Sequence, residues 1–142
     1  MQYFYIEPDV AGGLGPHTIL DSSVHPPMVR KLHYVVEGWT VEVLVTTFPC
    51  YLVTDKAQRA LQEMSFSGAS FADVEVTTSE EFHEDLPNQK LPPLVWLKVY
   101  GRAGHDDFGI AANHLLVISN RVLDLLESLG IPFAVVEPYD GK

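Results

Sequence analysis

Six histidines, His17, His25, His33, His83, His105 and His114, have the widest chemical repertoire of any side chains in this 142-residue chain, and one stands in its most suggestive stretch, GRAGHDDFG at 101–109. There Arg102, His105, Asp106, Asp107 and Phe108 offer a cation, an imidazole, two carboxylates and an aromatic ring between glycines, a composition shared by metal sites, phosphate cradles and plain turns. Zinc chemistry on a helix needs two histidines at i, i+4; no pair here has that spacing, and His83-Glu84 runs into Asp85-Leu86-Pro87 instead of a second histidine. A metal site built from loops, with His105 and Asp106 joined by His83 or His114, would need three ligands to converge without a supporting motif. Acyl transfer has no G-x-S-x-G nucleophile. GGLG at 12–15 lacks both the following Lys-Ser/Thr and a helix to receive a phosphate. Glu80, Glu81, Glu84 and Asp85 supply paired carboxylates, but on a short exposed helix they lack the burial that tunes a catalytic acid. The residues therefore assign no catalytic group, no metal and no cofactor.

The elements that must position these side chains follow from periodicity. YFYI at 3–6 reads as a strand, followed by a Gly/Pro-rich loop from Pro8 to about Pro27 in which VHPP is extended. LHYVV, a Glu37-Gly38 turn, and WTVEVLV, where Val41, Val43 and Val45 alternate with Thr40, Glu42 and Leu44, read as a hairpin. CYLVT leads into a helix with apolar Ala57, Ala60, Leu61 and Met64 on one stripe, capped by Thr54 or Asp55. FADVEVT is a strand, and Thr78-Ser-Glu-Glu81 spells a capping box that opens a short acidic helix ended by Pro87. LVWLKVY at 94–100 and LLVIS at 115–119 are strands, joined by a loop of about a dozen residues, GRAGHDDFG with IAAN; loops of that length are more often functional than short turns.

Two segments match at a constant offset. YLVTDKAQRALQEM at 51–64 and LVISNRVLDLLESL at 116–129 set Thr54 on Ser119, Ala57 on Val122, Leu61 on Leu126 and Met64 on Leu129, and each returns as a strand, FADVEV and FAVVEP. Duplication of a strand–helix–strand unit, about 50–76 and 115–137, and chance recurrence of the commonest α/β unit both account for this. Either way the helices have one apolar face each and must cover a sheet. The expected fold is α+β (mixed α/β), a single domain over 1–142 with a mainly antiparallel or mixed sheet and two or three helices.

Charge narrows the partners. Nineteen acids against nine bases give a net charge of −10, and residues 60–89 hold seven acids and no Lys or Arg. Such a surface repels nucleic acid and anionic membrane and draws in cationic partners. The lone Cys50 lies in an apolar run, which reads as a buried small hydrophobe in a reducing compartment, and MQYFYIEPDV carries no export signal, so a cytoplasmic protein is expected.

Taken in order, DSSVHPPMVRKLHYVVEGW, FPCYLVTDKAQRAL, FADVEVTTSEEF, WLKVYGRAGHDDFGI and LLVISNRVLDLLESLGI resemble a family of small bacterial immunity proteins of polymorphic toxin systems, first catalogued as a domain of unknown function. The resemblance spans about Tyr3 to Tyr139. It implies a non-enzymatic, cytoplasmic inhibitor that binds a cognate toxin and blocks its active site or substrate path. No catalytic motif comes with it. The acidic segment then suggests a toxin with a basic cleft, and the expected partner-binding residues are Glu80, Glu81, Glu84 and Asp85 with Arg102, His105, Asp106, Asp107 and Phe108. The alternative is a small metal- or nucleotide-dependent enzyme centred on His105, Asp106 and Asp107.

Overall fold

The computed structural model describes residues 1–39 and 41–141. In chain order the strands are β1 (Tyr3–Glu7), β2 (Gly12–Leu14), β3 (Ile19–Asp21), β4 (Met28–Lys31), β5 (His33–Val36), β6 (Leu44–Thr47) and β7 (Cys50–Thr54). Helix α1 (Asp55–Met64) follows, then β8 (Ala69–Ala72), β9 (Glu75–Thr78) and α2 (Glu80–Asp85). β10 (Leu94–Val99), β11 (Phe108–Ile110), β12 (Leu116–Ser119), α3 (Asn120–Leu129) and β13 (Val135–Pro138) complete the order. The fold is mixed α+β and mostly sheet.

Two of its sheets have one topology. In the first, strands run β6-β7-β10-β8, and in the second β11-β12-β1-β13, with every neighbouring pair antiparallel. In each, a strand leads through a helix to a second strand that lies parallel to it, and an antiparallel strand from elsewhere in the chain, β10 or β1, fills the gap. The strand–helix–strand order of the expected repeat is present in both sheets, with the return strand of the first unit at β8. Its helices begin identically: the Thr54 hydroxyl accepts the Ala57 N–H at 3.2 Å and the Ser119 hydroxyl accepts the Val122 N–H at 3.4 Å, with nearly equal cap dihedrals. Ala57 and Leu61 of one helix and Val122 and Leu126 of the other are fully buried, and all four belong to one hydrophobic cluster shared by both halves.

A third sheet, β2-β5-β9, has its β5–β9 pair parallel, and β3–β4 forms a separate two-stranded ribbon. A second cluster lies here, with Tyr34, Leu52, Phe82 and Trp96 inside it. Several expectations are corrected. The stretch from Pro8 to Pro27 is not all loop, since β2 and β3 lie within it. LHYVV and WTVEVLV do not form a hairpin: β5 pairs with β2 and β9, β6 pairs with β7, and Val41 takes a positive φ of 64° that breaks the alternation. Thr40, placed in that strand by the sequence, lies outside the described residues. FADVEV splits after Ala72, so that β8 closes the repeat and β9 crosses to the third sheet. Ser79, not Thr78, caps α2 by accepting the Phe82 N–H at 3.1 Å. The expected long loop after β10 is shortened by β11, which pairs with β12.

Leu61→Ala and Leu126→Ala should each cost about 2–5 kcal/mol, because each empties a fully buried site that its neighbours only partly refill. With the two helices in one cluster, urea unfolding of either variant should show a single shifted transition, the same by tryptophan fluorescence and by far-UV circular dichroism.

Candidate functional site

The acidic helix is anchored and its carboxylates are free of the core. Phe82 is buried in the second hydrophobic cluster, while Glu80, Glu81, Glu84 and Asp85 are all exposed. Beside them the His83 ring nitrogen Nε2 lies 2.6 Å from the Thr78 hydroxyl. Asp73 is exposed as well, whereas Glu75, between it and α2, is half-buried and paired with His17 and Lys31, so the open negative face is that of α2.

The 101–109 loop is built differently. Asp107 is only 5% exposed, and its carboxylate is fully engaged: Oδ1 accepts from Ser119 Oγ at 2.7 Å and Arg121 Nε at 2.8 Å, while Oδ2 accepts from the Ser67 backbone N–H at 3.0 Å and from an Arg121 terminal nitrogen. Its own N–H and carbonyl bond Ser67 Oγ and the Ser119 N–H. The Arg121 guanidinium, with Ser119 and Ser67 assisting, holds this carboxyl well below the usual aspartate range, down to about 2, against the opposing effect of burial. Arg121 in turn donates to the Ser65 carbonyl at 2.7 Å. Gly68 takes φ +92°, and any Cβ there would run into the Phe108 carbonyl, so the Ser65–Gly68 turn and the loop meet backbone to backbone.

Two expected contact residues are therefore corrected. Asp107 is a buried structural tie, and Phe108, fully buried in the first cluster with its ring edge-on to Phe66, is a core residue. Neither is presented to a partner, and Asp107 has no lone pair to offer a metal or a proton. Asp106 accepts the Arg102 N–H at 2.7 Å and closes the turn. Only Arg102 and His105 remain exposed in this set, His105 with its carbonyl receiving the Tyr3 hydroxyl at 2.8 Å. Phe82 of α2 belongs to the second cluster and Phe108 of the loop to the first. His83 and His114 also stay apart from His105, His114 lying edge-on to His25 at 5.2 Å.

A trio absent from the sequence expectations does converge. His17 Nδ1 lies 2.8 Å from Glu75 Oε2, and His33 Nε2 lies 3.9 Å from the same oxygen. His33, buried, accepts the His17 backbone N–H at Nδ1 (3.2 Å), which leaves its proton on Nε2 facing Thr77 Oγ1 at 2.8 Å. That nitrogen is then a donor and not a metal ligand. The His17 and His33 rings are stacked, 4.7 Å apart with planes 24° from parallel, so their in-plane lone pairs do not converge on one ion. As arranged, the trio fastens the turn before β3 to β5 and β9. Its members are sixteen and forty-two residues apart, a separation no local motif spans.

Glu42, which the sequence sets in alternation with the valines of WTVEVLV, is 1% exposed. Oε1 accepts the Phe133 N–H at 2.7 Å, and Oε2 is buried with no hydrogen-bond partner. Burial pushes this carboxyl above the ordinary glutamate range, with Asp9 adding to the effect and the Phe133 N–H opposing it. Glu42 lines a cavity of about 430 Å³ with Trp39, Val43, Lys56, Lys90 and Leu91. Cys50 is buried as expected, its thiol pushed up to about 12 by burial, and is no nucleophile.

No helix among the described residues is long and apolar enough to cross a membrane. No protein-family model and no curated protein matches the chain.

The two buried carboxyls should give opposite pH responses. For Asp107 the depressed value means stability that is present above the ordinary aspartate range and lost as pH falls toward about 2; Asp107→Asn should cost about 3 kcal/mol at pH 7 and flatten that acid limb. For Glu42 the raised value means stability present below the ordinary glutamate range and lost as pH rises through the folded-state value. Glu42→Gln keeps an acceptor for Phe133 and should add about 1 kcal/mol at pH 7.5, measured by urea denaturation at several pH values.

Proposed function

We propose that the chain is a non-catalytic immunity protein that binds and neutralises a cognate bacterial toxin by covering its active site or substrate path. The observation that carries this reading is the α2 face, where four carboxylates, Glu80, Glu81, Glu84 and Asp85, stand exposed on a helix whose position is fixed by Phe82 and the Ser79 cap. A rigid negative surface of this kind complements a basic cleft such as one that binds nucleic acid or nucleotides, and speeds encounter with it. The resemblance of KLHY, FPC, LVT and GRAG-x-DDFG to the immunity family supports the same reading.

Docking centres on α2, with Arg102 and His105 as further exposed contact groups. The enzyme alternative at His105, Asp106 and Asp107 loses its central group, because the Asp107 carboxylate is spent on Arg121, Ser119 and Ser67.

Co-expression with the product of the adjacent reading frame tests the proposal. The expected result is rescue from that product's toxicity together with a complex that co-purifies; toxicity unrelieved by a folded, expressed chain would overturn it. Reversing Glu80, Glu81, Glu84 and Asp85 to Lys should slow association about tenfold or more at low salt, with the difference shrinking as salt rises. Stopped-flow association rates that do not change would remove α2 from the interface.

A further inference from the structure

The β6–β7 hairpin turns through Phe48 and Pro49, and the β7–β10 ladder ends where Tyr51 pairs with Leu97. Lys98 and Val99 run on past that end, paired to β8. A cavity of about 200 Å³ opens there, with Pro26, Pro27, Phe48, Pro49 and Ile110 among its apolar walls. Among the described residues no carboxylate lines it; the ionisable nitrogens that do are those of Lys98 and His114. We propose that this cavity binds a small aromatic carboxylate, its anion paired with Lys98 and its ring lying against Phe48 and the prolines.

The head group follows from where Lys98 stands. Its Nζ lies over the Trp96 ring, 4.8 Å from the centroid, and its charge reaches the Cys50 thiol, where it opposes the upward push of burial. Trp96 and Cys50 both line the cavity, so the ammonium is held at its wall. Among the described residues Lys98 makes no ion pair, although the chain has nineteen acids for nine bases. A carboxylate entering the cavity therefore meets a cation free to form a charge-assisted hydrogen bond, and an ammonium would meet like charge. His114 adds a second polar group. It is half-buried and takes a positive φ of 68°, a conformation uncommon for a residue with a Cβ and one that gathers at binding sites. The body follows from the walls: Phe48 is 54% exposed at the hairpin tip, 6.3 Å from the His25 ring, and a flat ring laid on it removes apolar surface from water. The volume sets the size, since it falls below the roughly 300–1,000 Å³ of sites for drug-sized ligands and so suits one ring with a short acid arm. The net negative charge of the chain opposes any anion at long range, but salt screens that field beyond about 8 Å while Lys98 acts in contact. This site is separate from α2 and does not depend on the toxin-binding reading.

Phenylacetate is the probe, with phenylacetamide and phenethylamine as neutral and cationic counterparts of the same body. The backbone amide signals of Phe48, Lys98, Val99 and His114 are followed by NMR. They should move together with phenylacetate, at concentrations up to about 10 mM for a ligand this small. Affinity should exceed that for either counterpart by about fivefold, the scale of a partly exposed ion pair, and fall by about the same factor in Lys98→Met, which keeps an apolar stem over Trp96 and removes the charge. Phe48→Ala, which removes the exposed ring, should weaken binding of phenylacetate and phenylacetamide alike. Both positions are exposed, and the fold of each variant is checked by circular dichroism. Unmoved signals at these four positions, binding of the amide or the amine as tight as that of the acid, or undiminished binding by a folded Lys98→Met or Phe48→Ala would each overturn the proposal.

Discussion

The buried carboxylate of Asp107 is the point on which the two halves of this protein depend. Three segments that share no secondary-structure element meet on it: the turn after α1 through Ser67, the loop after β10 through Asp107 itself, and the entry to α3 through Ser119 and Arg121. Each oxygen accepts two hydrogen bonds, so the charge is satisfied as well as buried. Ser119 serves twice, donating its hydroxyl proton to Asp107 while its oxygen lone pair caps α3. The loop that carries Asp107 is therefore tied to two other segments, and the charged and imidazole side chains it exposes are Arg102 and His105.

Above that tie the architecture is a repeat. Two four-stranded antiparallel sheets of the same order place α1 and α3 together in one hydrophobic cluster, and Phe82 of the acidic helix packs in a second cluster that the third sheet shares with Leu52 and Trp96 of the first. The repeated halves supply the first cluster, and the second joins the β2-β5-β9 sheet to the β6-β7-β10-β8 sheet. Glu42 lies where the chain enters the first repeat, and its hydrogen bond to Phe133 reaches into the segment that closes the second.

Elements with local signals were legible in the sequence. The hydroxyl caps and apolar stripes of α1 and α3 are set by residues three and four apart, so Thr54, Ala57 and Leu61 could be matched to Ser119, Val122 and Leu126 with no knowledge of the sheet. The fold class followed from those stripes. What escaped was everything decided across the chain. Alternation around Glu42 looks like an exposed strand face, and only the positive φ at Val41 and the packing of residues 129–133 turn it inward. Asp107 and Phe108 sit in a glycine-rich stretch with the composition of a surface loop, yet partners at Ser67 and Arg121 and the pairing of β11 with β12 draw both inside. His17, His33 and Glu75 belong to a turn and two strands that are neighbours only in space. The acidic helix could be read because its charge is its own.

The two repeats also differ in where their central strand comes from. β10 follows its unit in the chain, so the sheet of β6, β7, β8 and β10 is complete once residue 99 has been made; β1 precedes its unit, and Tyr3 waits for Ser119 and Phe4 for Pro138. During synthesis at about 5–20 residues per second the first sheet has seconds to assemble while β1 remains unpaired. The YFYI strand thus stays unpaired until β12 and β13, about 110 or more residues further along, have been made.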